Sequence, residues 1–113
     1  ENTNLRSKNI IYVEPQGYLC FLYLIKNAFV VITDSGGISE ETTVLDIPCF
    51  TLRENTERPE TITLGTNILV GNCTGKLKSA YNLFLKNGRR KSSIPELWDG
   101  KTSERIVSIL LDK

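Results

Sequence analysis

Histidine and methionine are both absent from the 113 residues, and cysteine (three), proline (four) and tryptophan (one) are sparse. Without an imidazole this chain has no histidine general base, no Ser-His-Asp or Cys-His arrangement and no histidine-containing metal site. The chain begins at Glu1 and not at methionine, so a preceding segment is expected. Cys20, Cys49 and Cys73 form no CxxC pair and are too few for a disulfide-built scaffold. They are expected to be reduced, small apolar side chains in a reducing compartment. Asn72-Cys73-Thr74 matches the N-glycosylation acceptor pattern, but no signal peptide accompanies it and the match is read as coincidence. Neither charge dominates: 14 Lys plus Arg face 13 Asp plus Glu, for a net +1. The basic excess of a nucleic-acid binder is missing, so no nucleic-acid partner is expected. Long apolar runs are also missing. The stretch from Tyr18 to Leu24 and on to Ile32 is broken by Lys26 and Asn27, which leaves it too short to span a bilayer. A soluble protein without a membrane partner follows.

What is present alternates. Asn9 to Val13 is a β-branched and aromatic run closed by Glu14-Pro15 and reads as a buried strand. Tyr18, Leu19, Phe21, Leu22, Leu24 and Ile25 then recur with helical spacing, and Phe29 to Ile32 is a second apolar run. Thr33-Asp34-Ser35-Gly36-Gly37 reads as a glycine turn opening a helix that runs to Asp46. Cys49 to Leu52 and Asn67 to Gly71 are further short strands, separated by the charged segment from Arg53 to Glu60. The last third is helical: Leu77, Ala80, Tyr81 and Phe84 share one face, with Asn87-Gly88 as the exit. Ile106, Val107, Leu110 and Leu111 share another, behind Thr102 or Ser103 as a cap. Strands that are continuous apolar runs, alternating with helices, predict an α/β fold with a parallel sheet covered on both faces.

In open parallel sheets ligands bind beyond the carboxyl ends of the strands, where helix N-termini present unpaired N–H groups. Asp34-Ser35-Gly36-Gly37 occupies such a place, and the two glycines allow an anion to approach the backbone closely. The tetrapeptide admits two readings, a strand-to-helix turn capped by Ser35 and a phosphate cradle, and residue types alone do not separate them. It is neither a GxGxxG fingerprint nor a Walker A loop. Arg53 to Glu60 projects from the same sheet edge but reads on composition as a solvated charged loop. The basic cluster Lys86, Arg89, Arg90 and Lys91 is assigned to the helix dipole and solvent. Tyr18, Phe21 and Tyr23 read as core, and Trp98 as a packing anchor before the last helix.

Several segments occur together in order: Pro15-Gln16-Gly17-Tyr18-Leu19-Cys20-Phe21, Thr33-Asp34-Ser35-Gly36-Gly37-Ile38-Ser39-Glu40-Glu41, Arg53 with Thr56-Glu57-Arg58-Pro59-Glu60, Gly65-Thr66-Asn67 and Leu69-Val70-Gly71. In combination they resemble the C-terminal domain of the non-hydrolysing UDP-N-acetylglucosamine 2-epimerases, over residues 9 to 111. The resemblance implies a parallel Rossmann-like sheet with helices on both faces, part of a glycosyltransferase-B-type fold. Residues 1 to 113 would then be a partial C-terminal UDP-binding domain, with the catalytic N-terminal domain absent. It further implies that Gln16 and Phe21 lie at the uracil, Ser35, Gly36 and Gly37 at the diphosphate, Glu41 at the ribose hydroxyls and Arg58 near the phosphates. No metal and no cofactor are implied. Ser39 stands where the family usually has Gln, Thr42-Thr43 where Ala-Pro is common, Asp46 where Gly is common and Cys20 where Pro is common.

The family interconverts UDP-GlcNAc and UDP-ManNAc by eliminating UDP and adding it back. Its catalytic carboxylates and its nucleotide-binding histidine lie in regions that this chain does not include. The expected activity is therefore UDP binding as part of a cytoplasmic isomerase. The isolated piece is expected to be inactive, and the full-length protein to be a homodimer. The alternatives are a glycosyltransferase of the same architecture and a non-catalytic nucleotide-sugar-binding remnant. In the strand order 3-2-1-4-5-6 the strand at residues 9 to 13 would be separated from that at 29 to 33 by two missing strands, leaving a gap.

Overall fold

The computed structural model describes residues 7–112. The elements in chain order are α1 (Tyr18–Lys26), β1 (Val31–Thr33), α2 (Gly36–Val44), β2 (Cys49–Thr51), α3 (Glu60–Thr63), β3 (Asn67–Leu69), α4 (Thr74–Asn87) and α5 (Thr102–Leu111). The three strands lie side by side in sequence order and are all parallel, with Ile32, Phe50 and Ile68 in register. The α/β class expected from the alternating apolar runs is the observed one.

Strand alternation gives the sheet two unlike faces. On one, Phe50 packs with Val70 and Phe84, and Val30, Leu52, Leu77, Ala80 and Tyr81 surround them. This is the α4 side, where the Phe84 ring stands edge-on to Phe50 with centroids 6.1 Å apart. On the other, Cys49 and Thr51 point toward α2, whose buried residues are Ser39, Thr42 and Thr43. That helix has almost no apolar stripe and meets the sheet through methyls and hydroxyls. Thr42 Oγ1 and Thr43 Oγ1 donate back to the Ser39 carbonyl at 3.1 and 2.8 Å, which satisfies them without water.

The exit from α2 is a Schellman motif. The Ile47 amide donates to the Thr42 carbonyl and the Asp46 amide to the Thr43 carbonyl, with Ile47 buried beneath. Asp46 sits at the left-handed position, φ 55°, where glycine is unstrained. Its carboxylate also opposes the negative end of the helix dipole. Asp46→Gly is therefore expected to raise stability by about 0.5–1 kcal/mol even though it removes the bond from the Ser92 hydroxyl. Urea denaturation of the two forms checks this, and a lower midpoint for the glycine form would contradict it.

Several expectations are corrected. Residues 9 to 13 form no buried strand: Ile11, Tyr12 and Val13 are 86%, 74% and 65% exposed. A β-branched run becomes a strand only with a ladder to join, and no neighbouring strand is offered to it among the described residues. For the same reason Tyr18, Phe21 and Tyr23 are not core. Helix α1 buries only Ile25, because among the described residues no layer covers its other faces. Helix α5 buries nothing, and its N-cap is Lys101, not Thr102 or Ser103. Asp99 does the capping work there, accepting from the Lys101 amide at 3.0 Å and pairing with Arg105, and these contacts hold its carboxyl below the ordinary range. Arg89 and Arg90 do more than face solvent: they donate to the carbonyls of Asp46, Ile62 and Gly65 and tie α4's exit to the α2 and α3 turns. All three cysteines are free, but only Cys49 is buried.

Candidate functional site

The carboxyl ends of β1 and β2 open onto the N-terminus of α2. The chain leaves β1 at Thr33, and Ser35 takes an extended backbone at the N-cap, its amide donating to Thr33 Oγ1 at 3.1 Å. The Ser35 side chain makes no capping bond. The plain capped turn is thus only half realised, and the hydroxyl stands beside first-turn amides that have no intrahelical partner. Space around Gly37 is open: a Cβ added there would meet nothing within 4 Å. A Cβ on Gly36 would lie 3.5 Å from the Arg53 guanidinium and 3.6 Å from the Glu57 carboxylate, so the Arg53–Glu57 ion pair lies beside the helix start.

Along the flank of α2, from Glu40 to Leu45, lies a cavity of about 500 Å³. Tyr18, Leu22 and Trp98 give it an apolar wall, and Glu40, Glu41 and Arg58 a charged one. Trp98 is half-buried and lines this space, a more specific role than the packing anchor expected of it. Arg58 Nε donates to Glu40 Oε1, and this bond raises the guanidinium pKa further above its ordinary value. Both side chains remain substantially exposed, at 55% and 37%, so solvent screens the pair and a stronger anion can displace the carboxylate. The Arg58 backbone is held at both ends: its amide donates to Thr56 Oγ1 at 3.1 Å, and its carbonyl accepts from the Thr61 amide at 3.0 Å.

The structure therefore brings Glu41 and Arg58 to one cavity wall, while Ser35, Gly36 and Gly37 form the start of the same helix and are not on that wall. Gln16 and Phe21 are not on the cavity wall. Gln16 is exposed and donates to the Glu14 carbonyl at 2.7 Å, while Phe21 is 37% exposed, on the same helix as Tyr18 and Leu22. Three participants were outside the sequence expectation: Arg53, Glu40 and the short helix α3 that anchors Arg58. The strand-end position of Arg53 was a usable signal. The Glu40 pairing and the four-residue α3 carry no local pattern.

A parallel α/β sheet whose first strand runs through a glycine turn into a helix has the arrangement of a Rossmann-like domain. A family model described as UDP-N-acetylglucosamine 2-epimerase matches residues 1–111, and the chain belongs to that family. It is 52% identical over 104 residues to the UDP-N-acetylglucosamine 2-epimerase of Methanocaldococcus jannaschii, covering 92% of this chain and 28% of the relative. It is 36% identical over 107 residues to that of Escherichia coli K12, again covering 28% of the relative. The chain thus spans little more than a quarter of the length of these relatives. Among solved structures, the Methanocaldococcus jannaschii enzyme in complex with UDP-GlcNAc and UDP superposes with a TM-score of 0.79 at 51% identity, over 89% of this chain and 27% of that one. The Neisseria meningitidis enzyme bound to UDP-GlcNAc gives 0.81 at 35% identity, over 89% and 28%. These neighbours place the fold in the glycosyltransferase-B type. Among the described residues no helix is long and apolar enough to cross a membrane.

Proposed function

We propose that this chain is the UDP-holding part of a non-hydrolysing UDP-GlcNAc 2-epimerase, which interconverts UDP-GlcNAc and UDP-ManNAc by UDP elimination and re-addition. One observation carries the reading: in a chain of this family, Glu41 and Arg58 line one cavity beside α2, the helix whose uncapped N-terminus follows the carboxyl end of β1. A diphosphate placed over Gly36 and Gly37 would accept from their amides and sit at the positive end of the helix dipole. Glu41 lies five residues further along, about 7.5 Å of helix axis, and can accept from vicinal ribose hydroxyls.

The chemistry asked of these groups is simple. When the sugar's C1–O bond breaks, negative charge gathers on the departing diphosphate. The helix-start amides are fixed in place, and Arg58, once the diphosphate has displaced Glu40 from it, adds a full charge to the stabilisation of the leaving group. They also retain UDP until it adds back. Proton transfer at C2 is assigned to carboxylates of an N-terminal domain beyond this chain, so that the piece alone does not turn over. Gln16 and Phe21 take the uracil once α1 is covered by the rest of the protein. The full-length protein is assigned to the cytoplasm as a homodimer.

UDP titration by calorimetry, in the full-length protein containing this chain, tests the reading. Ser35→Ala is expected to weaken binding by about 3–10-fold, and Glu41→Ala, which removes a charged acceptor, by at least about 10-fold. Unchanged affinity in both would refute this placement of the nucleotide.

A further inference from the structure

Beneath the site a row of buried polar side chains joins the sheet to the Arg58 loop. Thr51, Asn67 and Thr61 are 1%, 0% and 0% exposed. Thr51 Oγ1 donates to Asn67 Oδ1 at 2.5 Å, and Asn67 Nδ2 donates to Thr61 Oγ1 at 3.2 Å. Thr61 Oγ1 then donates to the Arg58 carbonyl at 2.7 Å. Each hydroxyl has one proton, so the chain of bonds has one direction, running from the strand to the loop. Asn67 accepts at one end and donates at the other. Neither aspartate nor leucine can do both.

Apolar residues of similar volume would fill this layer at no loss of stability, since a buried polar network holds a fold no better than good packing does. What the network adds is a fixed end point, the backbone of the residue whose guanidinium reaches the cavity. The Arg58 side chain is itself largely exposed and its bond to Glu40 is open to solvent, so the placement of its charge depends on where its backbone is anchored. We infer that Thr61 and Asn67 are positioning residues for the nucleotide's phosphates, acting through Arg58. This rests on the UDP reading of the site.

The test is a double-mutant cycle on UDP affinity, by calorimetry with the full-length protein. Thr61→Val, nearly isosteric, is expected to weaken UDP by about 5–10-fold, and Thr61→Ser to restore it to within about twofold. The Arg58→Ala, Thr61→Val double variant should bind no more weakly than Arg58→Ala alone. Asn67→Leu should reproduce the loss, and Thr61→Ala replaces the valine variant if that one does not fold. Thr61→Val with the affinity of the parent, or losses that add in the double variant, would overturn the inference while leaving the UDP site standing. Arg58→Ala without effect on UDP would overturn the site and this inference together.

Discussion

Replacing Arg58 by alanine in the full-length protein is expected to weaken UDP binding by about 10–100-fold, the range of a hydrogen bond to a charged group. The guanidinium lines the same cavity as Glu41, along the flank of α2, and its backbone is fixed by Thr56 and Thr61. In the unliganded structure it is held by Glu40, and a nucleotide must displace that carboxylate. The effect of removing Glu40's charge therefore has the opposite sign. Glu40→Gln is expected to tighten UDP by about two- to fivefold, because an exposed pair of this kind is worth only up to about 1 kcal/mol. Calorimetry at two salt concentrations checks both variants. Arg58→Ala with parental affinity would show that the phosphates lie elsewhere, and weaker binding by Glu40→Gln would show that Glu40 orients the arginine and does not compete for it.

Gly65→Ala is expected to destabilise the protein by roughly 2–3 kcal/mol, the upper part of the range for overpacking a core. A Cβ at this position would fall 2.4 Å from Thr43 Oγ1, 2.6 Å from Thr43 Cγ2 and 2.6 Å from the Thr61 carbonyl oxygen. Thr43 is buried on α2 and the Thr61 contact is backbone, so neither can swing aside. The carbonyl of Gly65 also receives Arg90 at 2.5 Å, which holds it in place from the other side. Relief requires α2 and α3 to move apart, and Thr61 would carry the Arg58 loop with it. Urea denaturation should show a lower midpoint, and calorimetry a loss of UDP affinity in the protein that remains folded. Parental stability would mean that the α2–α3 contact is looser than these distances describe.

Most of the fold was legible because apolar runs such as Phe29 to Ile32 and Cys49 to Leu52 have neighbours in the structure, and pairing turns such runs into strands. The run at 9 to 13 carries the same signal and fails, since a local pattern does not report whether a partner is present. Helix α2 was found by its glycine turn and by Ile38, Thr42 and Leu45 at helical spacing, but of its buried positions Ser39, Thr42 and Thr43 only Thr42 lies in that pattern. The site followed the same division. Ser35 to Gly37, Glu41 and Arg58 sit in recognisable motifs. Glu40's hold on Arg58, Arg53 over Gly36 and the bond from Thr51 to Asn67 join residues 16 to 18 apart in sequence, and no spacing rule announces them.

The hydroxyl-lined seat of α2 has a mechanical consequence. Apolar side chains slide past one another with little loss, because one methyl contact substitutes for the next. Here the hydroxyls of Thr42 and Thr43 are spent on the Ser39 carbonyl of their own helix, so what the seat presents outward is shape. Gly65 leaves no room for even one carbon beside Thr43 and the Thr61 carbonyl, so a movement of α2 toward α3 meets backbone and not a yielding side chain. On the UDP reading, adjustment to a nucleotide is expected of the exposed segment from Arg53 to Arg58, whose ion pairs with Glu57 and Glu40 are open to solvent and can be exchanged.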